Sequence, residues 1–140
     1  MSIVRAPLSR AEIVRAAMAW NEPRAVRRYT VARGTSPEQA DRCFEALKQF
    51  LAVCALADTA RAPSREVDEM WHVALMFTRA YRELCERLGR HLDHEPLDAP
   101  VEEAVYATTR AEAEAVFGRL DQEHWPLPGT APRCGSMYVP

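Results

Sequence analysis

Asp68 and His72 stand four residues apart in VDEMWHVAL, a stretch whose apolar residues recur at helical spacing. At helical rotation the two side chains leave one strip of surface, with Leu75 next along it, on the flank of an apolar stripe centred on Trp71. A carboxylate and an imidazole so placed can supply two ligands to a divalent metal. Alternatively, the carboxylate can orient the ring for proton transfer. Two donors do not complete a site. More follow behind Gly89 in HLDHEP, where His91, Asp93 and His94 lie close together in a predicted loop. Folding that loop back brings His94, and less readily His91, towards His72. To share one metal with bonds near ~2 Å, the two rings must place their nitrogens within about 8 Å.

Ordinary packing offers its own account of the same residues. Asp68 falls in the first turn of its helix, where a carboxylate is favoured by the exposed amides. His72 can donate to a loop carbonyl, and His91 and His94 can face solvent. No H-E-x-x-H, G-x-S-x-G, P-loop or dinucleotide fingerprint is present. Cys85 shares the apolar stripe with Tyr81 and Leu88 and reads as a core thiol. Cys134, in a Gly-containing tail, is the better candidate for a reactive or metal-binding thiol.

The elements that must position these groups are helical. Ser9 with Glu12 forms a capping box ahead of Ile13, Val14, Ala16, Ala17 and Trp20, predicting a first helix to about Trp20, stopped by Asn21-Glu22-Pro23. Residues 24–33 fit a short helix or an irregular connection. Ser36-Pro37-Glu38-Gln39 opens a long helix to about Ala57, whose wide apolar arc suits a central position. Pro63-Ser64 opens the helix carrying Asp68 and His72, which runs through Tyr81 and Cys85 to Leu88, with Thr78 as a point where it can break. Asp98, Pro100, Glu102 and Glu103 open a last helix to Phe117, with Thr108-Thr109 as a potential interruption. The Pro- and Gly-containing tail from Trp125 is apolar enough to lie back on the bundle. No run alternates in a way that argues for a sheet. The expectation is an all-α bundle of about four to six helices, with residues 1–126 forming one domain and 127–140 an irregular tail packed on or near it.

Composition narrows the function classes. With 140 residues and a formal net charge of −2, the chain suits one core and lacks a strong overall field. The charge is uneven, about +5 over residues 1–65 and −7 over 66–140, so the two halves should attract. Arg24, Arg27, Arg28 and Arg33 around Tyr29 could face nucleic acid, but without a sustained basic stripe that partner is disfavoured. No secretory leader pattern and no apolar run of membrane-spanning length appear, which predicts a cytoplasmic location. Cys43 and Cys54, about 16 Å apart along one helix, cannot bridge and read as reduced core residues.

The run PSREVDEMWH, then FTRAY, Cys85, Gly89 and HLDHEP resembles the glycine-rich domain-containing protein-like family, with EALKQFLAV, VFG and Trp125-Pro126 extending the likeness from about Ser36 to Pro126. The resemblance implies a helical domain in which Asp68, Trp71, His72, Tyr81, Cys85, Gly89, His94 and Pro96 hold the motif positions. It implies no established activity. The plant members' glycine-rich tail has no counterpart here, so roles tied to it do not carry over.

Three readings follow. One is a non-enzymatic interaction module that meets a protein or peptide partner through Trp71, His72 and His94, with Tyr81, Cys85 and His91 around them. Another is a metal-binding protein or metalloenzyme using Asp68, His72 and His94 to hold zinc or iron. The third is a structural motif in which His72 ties down the HLDHEP loop.

Overall fold

A computed structural model describes residues 6–97, 103–130 and 136–140. Among them the chain forms α1 (Arg10–Met18), α2 (Pro23–Arg33), α3 (Pro37–Leu56), α4 (Arg65–Leu75), α5 (Thr78–Leu88), β1 (Glu95–Pro96), α6 (Glu103–Phe117) and β2 (Ser136–Met137). The architecture is the all-α bundle expected. α3 is its axis, packed against α1, α2, α4 and α6. Cys43, Leu47, Phe50, Leu51 and Cys54 are fully enclosed along it.

Local chemistry sets the helix starts. Ser9 with Glu12 and Ser36 with Gln39 form reciprocal capping boxes at α1 and α3. Residues 24–33, left open by the sequence, are helical. Pro23 begins α2, Glu22 caps it by accepting from the Arg24 amide, and Gly34 ends it in the left-handed region. Ser64 caps α4, and its hydroxyl donates to the His124 carbonyl at 2.6 Å, joining the helix start to the segment after α6.

The third predicted helix is broken at the anticipated place, although Thr78 is not the cap. Phe77 occupies that position with φ −93° and ψ 69°, and no side chain caps α5. The Met76 and Phe77 amides turn back to the Val73 and Ala74 carbonyls, tightening the end of α4. α6 runs through Thr108-Thr109 without interruption, and the Thr109 hydroxyl donates within the helix to the Val105 carbonyl at 2.8 Å. The proposed start of this helix at Asp98 to Glu102 lies outside the described residues.

One expectation needs correction. A sheet does exist, a minimal antiparallel pair with Glu95 opposite Met137 and Pro96 opposite Ser136, continued by an isolated bridge between Arg61 and Tyr138. Two-residue strands leave no alternation to read, and their pairing is set by tertiary contacts. Among the described residues of the C-terminal segment, Tyr138 is buried and Met137 packs against the core, while Leu127 and Val139 are exposed. Ion pairs also join the two oppositely charged halves. Arg61 grips Glu112 through two bonds of 2.6 and 2.7 Å, Arg42 reaches Glu123 at 3.0 Å, and Arg33 pairs with Glu69.

Gly89 ends α5 at φ +81°, and the turn it makes starts the loop that carries His94. An added Cβ would meet only ordinary contact with Leu8, so backbone strain is the main cost of a side chain there. Gly89→Ala should therefore lower stability by about 1–2 kcal/mol in urea unfolding. An unchanged midpoint would show that the left-handed turn is not needed.

Candidate metal centre

The site is built on Asp68, which α4 buries one turn from its start. Its Oδ1 meets His94 Nε2 at 2.9 Å and accepts a hydrogen bond from the Ser136 hydroxyl, while Oδ2 lies 3.5 Å from His72 Nε2. The two imidazoles sit edge to face with centroids 4.2 Å apart. One donor atom from each of Asp68, His72 and His94 lies within 4.8 Å of the other two. Three segments distant in sequence thus meet at one carboxylate.

The remaining motif residues explain how the loop is held there. Trp71 Nε1 donates to the Tyr81 hydroxyl at 3.1 Å, and Tyr81 in turn donates to the Leu92 carbonyl. The Leu92 amide donates to Cys85 Sγ at 3.5 Å, so both polar groups of one loop residue are tied to α5. His94 then stands edge-on to the Trp71 ring, with centroids 4.5 Å apart. Strand β1 follows at once, and its pairing with β2 delivers Ser136 to Asp68. Arg90 reinforces the closure by donating to the Ala57 carbonyl at 2.5 Å and the Tyr138 hydroxyl at 3.1 Å.

These positions divide the residues singled out in the sequence. Asp68, His72 and His94 come together. Trp71, Tyr81 and Cys85, expected on a binding surface, are buried, because they lie on the stripe that packs against α3 and the loop. His91 points elsewhere, pairing with Asp93 at 3.1 Å on the exposed rim. Within the cluster the exposure is unequal: the His94 side chain is 8% exposed and that of His72 58%. Cys134 lies outside the described residues. Ser136 was missed, since nothing near it in the sequence marks a lone serine as a partner for a carboxylate 68 positions earlier.

Electrostatics favour an ionised Asp68. Burial pushes its carboxyl up, but hydrogen bonds from His94 and Ser136 and the charge of the neighbouring imidazoles outweigh that cost and hold it below its ordinary 3.8. The thiols behave oppositely. Burial pushes Cys43 up to about 12 and also raises Cys54 and Cys85, so none of the three is an activated nucleophile.

A second group, Asp121, Glu123 and His124, also places its donor atoms close together. Here the contacts belong to a turn: Asp121 accepts the Glu123 amide at 3.0 Å and pairs with His124 at 3.1 Å. Arg42 lies against both carboxylates. That cation already offsets the charge a metal would need.

The class defined by fold and site is thus a small α-helical protein whose interhelical loop and C-terminal strand close on a buried carboxylate beside two histidines. A family model described as UCP032817-like matches residues 9–110, and the chain belongs to that uncharacterised family. The matched region contains Asp68, His72 and His94 together with Trp71, Tyr81, Cys85 and Gly89. No curated protein and no solved structure matches the chain.

Two outcomes test this construction. Tyr81→Phe leaves the Trp71 N–H and the Leu92 carbonyl without their partner and should cost about 2 kcal/mol; a loss below about 0.5 kcal/mol would mean the loop is held by other contacts. The second outcome concerns metal-free protein. Because the folded Asp68 carboxyl is depressed, its contribution is present above the unfolded value near 3.8 and disappears as pH falls through the lower folded value. Asp68→Asn should destabilise at neutral pH and flatten the acid limb below about pH 4, as measured by urea midpoints across pH. An equally steep limb in the variant would assign the acid sensitivity elsewhere.

Proposed function

We propose that Asp68, His72 and His94 hold a divalent transition ion, zinc or iron, and that the protein acts through this centre. The observation that supports this most is the convergence of three donors of suitable chemistry. Two imidazoles and an ionised carboxylate match the ligand sets of zinc and of non-haem iron. The Asp68 contacts of 2.9 and 3.5 Å to the two histidines are close to the spacing of neighbouring ligands around one ion with bonds of about 2.1 Å. Ser136 bonds Asp68 and the Trp71 ring packs on His94, which helps to hold both side chains in place. Three protein ligands leave at least one coordination position for water or substrate, the pattern of a reactive rather than a purely structural ion.

A second reading, a protein or peptide partner on this face, draws on a cleft of about 390 Å³ lined by Leu75, Thr78, Tyr81, Arg82 and residues 91–94. In that case His72 and His91 would make the contacts and Trp71 would act only from beneath. The likeness to glycine-rich domain-containing proteins belongs to this proposal only as a guide to shared motif positions. Among the described residues no helix is long and apolar enough to cross a membrane.

The test is elemental analysis of protein purified without a polyhistidine tag, both aerobically and anaerobically, followed by titration of the metal-free form with zinc. About one ion per chain is expected, and Asp68→Asn and His72→Ala should each weaken binding at least tenfold. Bound metal should also raise the unfolding temperature of the wild type, since it binds only the assembled site. No metal in either preparation, together with no uptake of added zinc, would overturn the reading.

A further inference from the structure

Resting on the metal-centre reading, we infer that the cleft beside His94 seats a small organic monocarboxylate, with its charged end on Arg82 and its body lying along the apolar floor towards the metal. The cleft and the centre share His94, and Leu75 follows His72 by three residues on α4. The cleft therefore borders the ligand cluster at His94. Its volume, about 390 Å³, is at the small end of the range for ligand sites, which suits a compact molecule.

The lining specifies the charge. Thr78, Tyr81 and Arg82 share a face of α5, and Arg82 is exposed with no ion-pair partner among the described residues. The two histidines of the lining have carboxylate partners, His91 on Asp93 and His94 on Asp68. One unpaired guanidinium offers a planar fork for one carboxylate. A dianion such as a phosphate ester would meet that single cation with the Asp93 carboxylate in the same lining, which disfavours the second charge. Leu75, over the buried Leu92 and Tyr81, gives the rest of the ligand an apolar contact.

The experiment uses the full chain loaded with cobalt, whose visible bands report on the metal's ligands, and titrates phenylacetate, neutral phenylacetamide and phenyl phosphate by calorimetry. Phenylacetate should bind one to one and shift the cobalt bands, with the amide and the phosphate at least tenfold weaker. Arg82→Gln should weaken phenylacetate binding at least tenfold while leaving cobalt affinity unchanged. Equal phenylacetate binding by wild type and variant, preference for phenyl phosphate, or no binding at millimolar phenylacetate would overturn the inference. The same titration on the metal-free chain separates the two proposals. If cobalt is not taken up, Arg82-dependent phenylacetate binding keeps the carboxylate seat and removes only the metal; its absence removes both.

Discussion

A carboxylate taken out of water must be compensated, and much of this structure serves that requirement at Asp68. Its partners come from three places: His72 from the next turn of the same helix, His94 from the loop after α5, and Ser136 from the C-terminal strand. Only the first is local. The other two depend on the Gly89 turn, the Tyr81 and Cys85 contacts to Leu92, and the β1–β2 pairing. The loop and the tail thus meet at one side chain, although each is also held by contacts of its own.

The motif divides into residues that carry charge and residues that hold the loop. Trp71, Tyr81 and Cys85 resemble plain core residues, since each packs on the apolar stripe. Each also carries one polar atom, and those atoms form a relay from the indole N–H through the phenol to the Leu92 carbonyl, with the thiol on the Leu92 amide. A core of Leu and Phe would bury similar area without fixing the loop's height above α4. Buried polar groups that are fully paired specify one arrangement where apolar contact tolerates several. Trp, Tyr and Cys can thus do here what bulk hydrophobes could not.

Periodicity and capping made the helices legible, because both are local: Ser9, Ser36 and Ser64 each start the helix that follows them. The pairing of Asp68 with His72 was legible for the same reason. His94 could be named as a candidate but not placed, since its position depends on a turn and on contacts with side chains ten or more residues away. Residues 24–33 were ambiguous because much of α2 faces solvent as arginine, and its helical state owes more to Pro23, Glu22 and packing on α3 than to an apolar pattern. Ser136 and the strand pairing lay beyond reach, being long-range contacts of a segment with no periodicity of its own.

The difference in exposure between the two histidines bears on what the cluster is for. If Asp68 served only to anchor the loop, His94 and Ser136 would suffice at Oδ1, and the other oxygen would call for one short, buried donor. His72 is instead held at the solvent edge, 3.5 Å from the other carboxylate oxygen, beyond a well-formed hydrogen bond yet close enough to share an ion. Anchoring favours buried, short and complete contacts. On the proposed reading, a metal centre that exchanges ligands with solvent has one side rigid and one side open, roles that His94 and His72 would divide between them.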